Sequence, residues 1–191
     1  MQLINLKKNQ SGFTLVEIAI VLVIIGLLLG GVLKGKEMIK SAKVKKTVKM
    51  ADELRAATMT FYDKYGAYPG DENNANIPSN DAHNGNGNGF IASDEMYMVF
   101  EDLMNAGFIS GSYNGTSELP RHAFGGNVAI YWTTDLGAPA DHYVVMWGLP
   151  WDAAMEIDMK YDDGQRDTGS IRSSEAYAPS SGPIGYIIWA L

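Results

Sequence analysis

The chain contains no cysteine, which excludes disulfides, thiolate nucleophiles and cysteine-ligated zinc together. Histidine is scarce as well. His83, His122 and His142 lie far apart, without the spacing that a zinc site requires. There is no G-x-S-x-G elbow and no G-x-x-x-x-G-K-[ST] phosphate loop. Trp132, Trp147, Trp151 and Trp189 read as core and rim residues rather than a ligand platform. These absences lead to the expectation that the chain is not an enzyme. Positive charge is also thin in the second part: from Gly66 to Leu191, four cations stand against 17 acids. That balance argues against nucleic acid as a partner.

What the chain does have is a long apolar run. From Phe13 to Leu33 only Thr14 and Glu17 carry polar side chains. A helix of that length spans about 30 Å, the thickness of a bilayer's hydrocarbon core. Lys7 and Lys8 precede the run, and nothing after Leu33 resembles a secretory cleavage site. Glu17 is the anomaly. A charge inside such a segment costs roughly 2.5–3.5 kcal/mol on insertion scales, so it calls for a partner.

Past Leu33 the composition changes. Eight cations against three acids occupy Lys34 to Arg55. Val44, Val48, Ala51, Leu54, Thr58, Phe61 and Tyr65 recur at helical spacing. The pattern predicts one helix from about Phe13 to Tyr65, stopped by Gly66 and turned by Pro69–Gly70. Gly30 and Gly31 are the candidate point of flexibility, since each glycine weakens a helix by ~1 kcal/mol relative to alanine.

A polar loop rich in Gly and Asn follows to Gly89, and Ser93 to Gly107 reads as a helix capped by Ser93. Val128–Thr134, Tyr143–Leu149 and Ile184–Trp189 read as strands, and the alternation over Met155–Tyr161 reads as a half-exposed fourth. The fold class is therefore α+β. The first half of a long N-terminal helix crosses a membrane, and its second half packs on a small antiparallel sheet head.

Two stretches suggest calcium. Asn84, Asn86, Asn88, Phe90 and Glu95 align with the D-x-[DN]-x-[DN]-G-x5-E loop, although position 1 is Asn and no helix precedes it. Asp158, Asp162, Asp163 and Asp167 form a second acidic cluster around an Asp163–Gly164 turn.

At Gly12–Phe13–Thr14–Leu15–Val16–Glu17 the chain resembles type IV pilin precursors and the related pseudopilins of type II secretion. The shared signature is a short basic leader ending in Gly, then Phe, then a Glu inside the apolar helix. The resemblance is specific over about Lys7 to Leu33 and looser to about Pro69. It implies a leader, residues 1–12, cut between Gly12 and Phe13 by a prepilin peptidase, with N-methylation of Phe13. Residues 13–33 would be the transmembrane and filament-core helix, 34–65 its amphipathic continuation, and 66–191 the periplasmic or extracellular head. The leader would stay cytoplasmic, overruling a lysine count that favours the opposite orientation. Glu17 would set assembly register by pairing with a neighbouring subunit's N-terminal amine.

The expected role is a structural subunit of a type IV pilus or type II secretion pseudopilus, held first in the inner membrane and then in a homo- or hetero-oligomeric filament. The alternatives are a minor tip pilin whose acidic head is a binding module, and a plain single-pass membrane protein. Tyr65–Asp71, YGAYPGD, resembles the helix exit of major pseudopilins, but the Pro-Trp-Gly motif typical of their tails is missing. The head leaves the system undecided.

Overall fold

The computed structural model describes residues 12–191. Helix α1, Leu15–Tyr65, begins two residues later than expected and ends where Gly66 turns left-handed, at φ 76°. Two compact units divide between Ser41 and Ala42.

In the first unit the helix runs unbroken through Gly30 and Gly31. Its Leu, Ile and Val side chains from Leu15 to Leu33 are all exposed. It is long and apolar enough to cross a membrane.

In the second unit, α1 buries Val44, Thr47, Val48, Ala51, Leu54, Ala57, Thr58 and Phe61, the face that the periodicity predicts; Tyr65 is half-buried. The sheet has four antiparallel strands in the order β1-β2-β4-β3: β1 Val128–Thr133, β2 Asp141–Pro150, β3 Ile171–Ser173 and β4 Pro183–Ala190. One row of paired residues, Ile130–Val144–Trp189–Ile171, crosses all four strands. It joins α1, Val99, Phe100 and Leu103 in the main core. Because side chains alternate along a strand, the neighbouring Val145 and Ile188 face the other way. There they pack with Ala138 and Tyr143 in a smaller cluster.

Two elements differ from the expectation. The segment expected as a strand, Met155–Tyr161, lies in helix α3, Trp151–Tyr161. Its buried residues are Ala153, Ala154, Ile157 and Asp158, a helical face, while Met159 and Tyr161 are exposed. The apparent alternation therefore separated no inside from outside. The fourth strand is instead β3, three residues long. The helix after the loop is shorter than expected: α2 spans Met98–Asn105, and Ser93 does not cap it. Residues 94–97 form turns, because the Glu95 carboxylate is turned back onto the preceding loop. Gly107, at φ 77°, ends the helix as expected.

Candidate functional site

Two regions concentrate functional side chains. The first is the start of α1. Gly12, Phe13 and Thr14 lie outside regular structure, immediately before the helix. The Thr14 amide and hydroxyl both donate to Glu17 Oε2 at 2.8 Å, and the Glu17 amide donates to Thr14 Oγ1 at 3.2 Å. Thr14 and Glu17 thus form a reciprocal capping box, which satisfies backbone donors that a helix start otherwise leaves bare. Phe13 is 85% exposed. The leader lies outside the described residues except for Gly12.

The second region is the chain between α1 and α2. Its backbone is held by carboxylates. Glu95 Oε1 accepts from the Asn86 amide and side chain at 2.9 and 2.7 Å, and Glu95 Oε2 accepts from the Ala92 amide at 2.8 Å. Asp71 accepts from the amides of Asn88 and Gly89 at 2.9 and 2.8 Å. Asn86 Oδ1 and Asn88 Oδ1 accept from the amides of Asn88 and Phe90. The sequence-matched calcium loop is therefore organised inward: the oxygens of Asn86, Asn88 and Glu95 receive donors from the chain itself.

The second suggested cluster is also engaged. Asp158 accepts from the Gly164 amide at 3.0 Å and from the Tyr177 hydroxyl at 2.6 Å. Asp162 accepts from the Ile171 amide at 2.8 Å, and Asp163 from the Gln165 amide and the Thr168 hydroxyl. Asp158 is fully buried, and that burial raises its pKa. Asp167 is exposed and does not belong to the group of three whose oxygens converge.

A different trio comes together. Glu72, Asp81 and Asp102 each offer an oxygen, and these oxygens lie within 4.8 Å of one another. Glu72 is 2% exposed and Asp102 0%. One oxygen of each carboxylate is held by a backbone amide: Asn74 on Glu72 Oε2 at 2.7 Å, His83 on Asp81 Oδ1 at 3.3 Å, and Gly70 on Asp102 Oδ2 at 2.6 Å. The other oxygens, Glu72 Oε1, Asp81 Oδ2 and Asp102 Oδ1, are buried with no hydrogen-bond partner among the described residues. Burial, aided by the charges of Asp81 and Glu72, pushes the Asp102 carboxyl up to about 9. Burial likewise raises Glu72 to about 7.

Sequence reasoning missed this trio because its members stand nine and 21 residues apart and match no ligand motif. One signal was available. Asp102 sits beside Leu103 on the face of α2 that also buries Val99 and Phe100, where a carboxylate does not belong without a counterpart.

The histidines serve separate local tasks. His83 Nδ1 lies 2.7 Å from Glu101. The His142 ring nitrogen accepts from the Ile91 amide at 3.0 Å. His122 Nδ1 accepts from the Phe124 amide at 3.1 Å, and its Nε2 lies 2.8 Å from the Trp147 carbonyl. Burial lowers the pKa of both His122 and His142.

Comparison with known families places a prokaryotic N-terminal methylation motif over residues 7–33. The chain thus carries a prepilin signature of the type IV pilin and pseudopilin kind. No curated protein and no solved structure matches it.

Proposed function

We propose that the chain is a structural subunit of a type IV pilus or a type II secretion pseudopilus, cut between Gly12 and Phe13, methylated at Phe13 and assembled through α1. The observation that carries this reading is a coincidence. The methylation motif over residues 7–33 covers a helix whose large apolar side chains are all exposed up to Leu33. Each such side chain gains about 1.5–3 kcal/mol on leaving water. The segment therefore needs a bilayer first and neighbouring copies of itself later. In this reading the leader faces the cytoplasm and the head is exported from the inner membrane.

The N-terminal region supports the order of events. The proposed scissile bond precedes the helix, in chain without regular structure, as a peptidase requires. Glu17 caps its own helix while the leader is attached. After cleavage the new Phe13 amine offers a cation, and a neighbour's amine is the partner that would fix register through the penalty for mispairing. Gly30 and Gly31 are where α1 would yield if packing demanded a bend. The role is architectural and non-catalytic.

Co-expression with a prepilin peptidase, followed by mass analysis of the N-terminus, tests the proposal. Loss of residues 1–12 and a methylated Phe13 are expected; an unchanged chain beginning at Met1 would overturn it. Subunit abundance along sheared filaments then reports a building block, whereas a trace confined to the tip reports a binding module.

A further inference from the structure

Chain 66–91 links α1 to the turns before α2 without a regular helix or strand. Connections of this length inside compact domains are uncommon unless something fixes them or they serve a site. Hydrogen bonds tie part of it down: the Gly85 amide to the Glu72 carbonyl and the Gly87 amide to the Asp71 carbonyl, both at 2.7 Å. The chain has no cysteine, so no disulfide ties this loop to the rest of the head.

We propose that Glu72, Asp81 and Asp102 form a binding site for a calcium ion that pins this loop to α2. The three carboxylates come from different parts of the chain: the exit of α1, the middle of the loop, and α2. A backbone amide fixes one oxygen of each, and the other oxygen is buried without a hydrogen-bond partner among the described residues. Each carboxylate offers an oxygen within 4.8 Å of those of the other two; the donor set has no nitrogen and no sulfur, which selects hard cations.

Two arrangements account for unpaired oxygens at such separations: shared protons or a bound cation. The burial of Glu72 and Asp102 makes two or more uncompensated charges unsustainable. Calcium fits better than magnesium because it tolerates irregular oxygen shells of six to eight ligands, completed by water and carbonyls, while magnesium demands a near-ideal octahedron. The site differs from both stretches that the sequence suggested, where Glu95, Asp158, Asp162 and Asp163 already accept donors from the chain. It does not depend on the assembly reading, because the cluster lies wholly within the unit that begins at Ala42.

The test uses the full chain in detergent micelles, stripped of metal with a chelator. Thermal unfolding and calorimetry are followed against calcium chloride, magnesium chloride, and sodium chloride of matched ionic strength. A saturable rise in Tm with calcium, at least tenfold weaker with magnesium and absent with sodium, is expected. Asp102→Asn keeps the shape and removes one buried charge. Its metal-free Tm is expected to equal or exceed that of the parent, showing that it folds, while its calcium response falls at least tenfold. Asp163→Asn, in the other cluster, is expected to respond like the parent. A parent chain insensitive to calcium, stabilised only by acidification, would show shared protons and overturn the site. An Asp102→Asn variant with an undiminished calcium response, or an Asp163→Asn variant without one, would also overturn it.

Discussion

Replacing Thr58 with valine is expected to stabilise the head. Thr58 is fully buried on the inner face of α1, and its hydroxyl has no hydrogen-bond partner among the described residues. Valine has nearly the same shape and a similar helix propensity. The exchange therefore isolates the desolvated hydroxyl. An unsatisfied buried polar group costs about 1–3 kcal/mol. Taking ~1–2 kcal/mol as the recovered part, and about 2–4 °C of Tm per kcal/mol for a domain of this size, the midpoint should rise by roughly 2–8 °C. Thr60 supplies the control. It lies one half-turn away, exposed, with its hydroxyl donating to the Ala56 carbonyl at 2.6 Å, so Thr60→Val should move the midpoint by about 2 °C or less, in line with a surface change within ±0.5 kcal/mol. Thermal unfolding of the full chain in detergent, followed by tryptophan fluorescence, reads both variants. A Thr58→Val chain less stable than its parent would refute the reasoning, since it would mean the hydroxyl is satisfied.

Three further expectations concern the head. His122 and His142 have folded-state pKa values lowered by burial, so the unfolded chain takes up protons first as pH falls below about 6.5. Their contribution to stability is present above that pH and lost on acidification. His122→Gln should consequently flatten its share of the fall in urea midpoint between pH 7 and pH 5; an unchanged slope would count against a neutral His122. Gly85→Ala should unfold the loop locally, because a Cβ there would run into the Gly70 carbonyl and the Asp71 backbone; faster hydrogen exchange across residues 70–92 is the readout. Arg55 lies over the Trp189 ring at 4.1 Å, and its Nε donates to the Ala190 carbonyl at 2.8 Å. Arg55→Lys keeps the charge but loses the planar stack and that bond, so a loss of about 1–2 kcal/mol in denaturant unfolding is expected.

The parts of the molecule visible in its sequence are those where local pattern and tertiary demand agree. The run to Leu33 is apolar on every side, the stripe from Val44 to Phe61 keeps one helical period, and Gly66 stops the helix by a conformation that suits glycine. Three strands were legible from their β-branched and aromatic content. Trp151–Tyr161 was not, because Met155, Ile157, Met159 and Tyr161 mimic a strand while the adjacent Ala153 and Ala154 face the core. Ile171–Ser173 is too short to show any period. At the start of α1, Thr14 and Glu17 were readable at capping-box spacing, yet the box went unread beside the more salient acid. The Glu72–Asp81–Asp102 trio depends on the path of a loop, and loop paths leave no periodic trace.

That loop has one more consequence, which concerns chemical ageing. Asn84–Gly85, Asn86–Gly87 and Asn88–Gly89 are three successive Asn–Gly pairs, the dipeptide most prone to cyclise and deamidate. The reaction begins when the glycine amide nitrogen attacks the asparagine side-chain carbonyl, and only glycine leaves that nitrogen so unhindered. In the folded head each of these three nitrogens is already committed as a donor, to the Glu72 carbonyl, the Asp71 carbonyl and the Asp71 carboxylate in turn. Folding thus shields these three pairs, and a loop that opens would record its exposure as permanent new carboxylates.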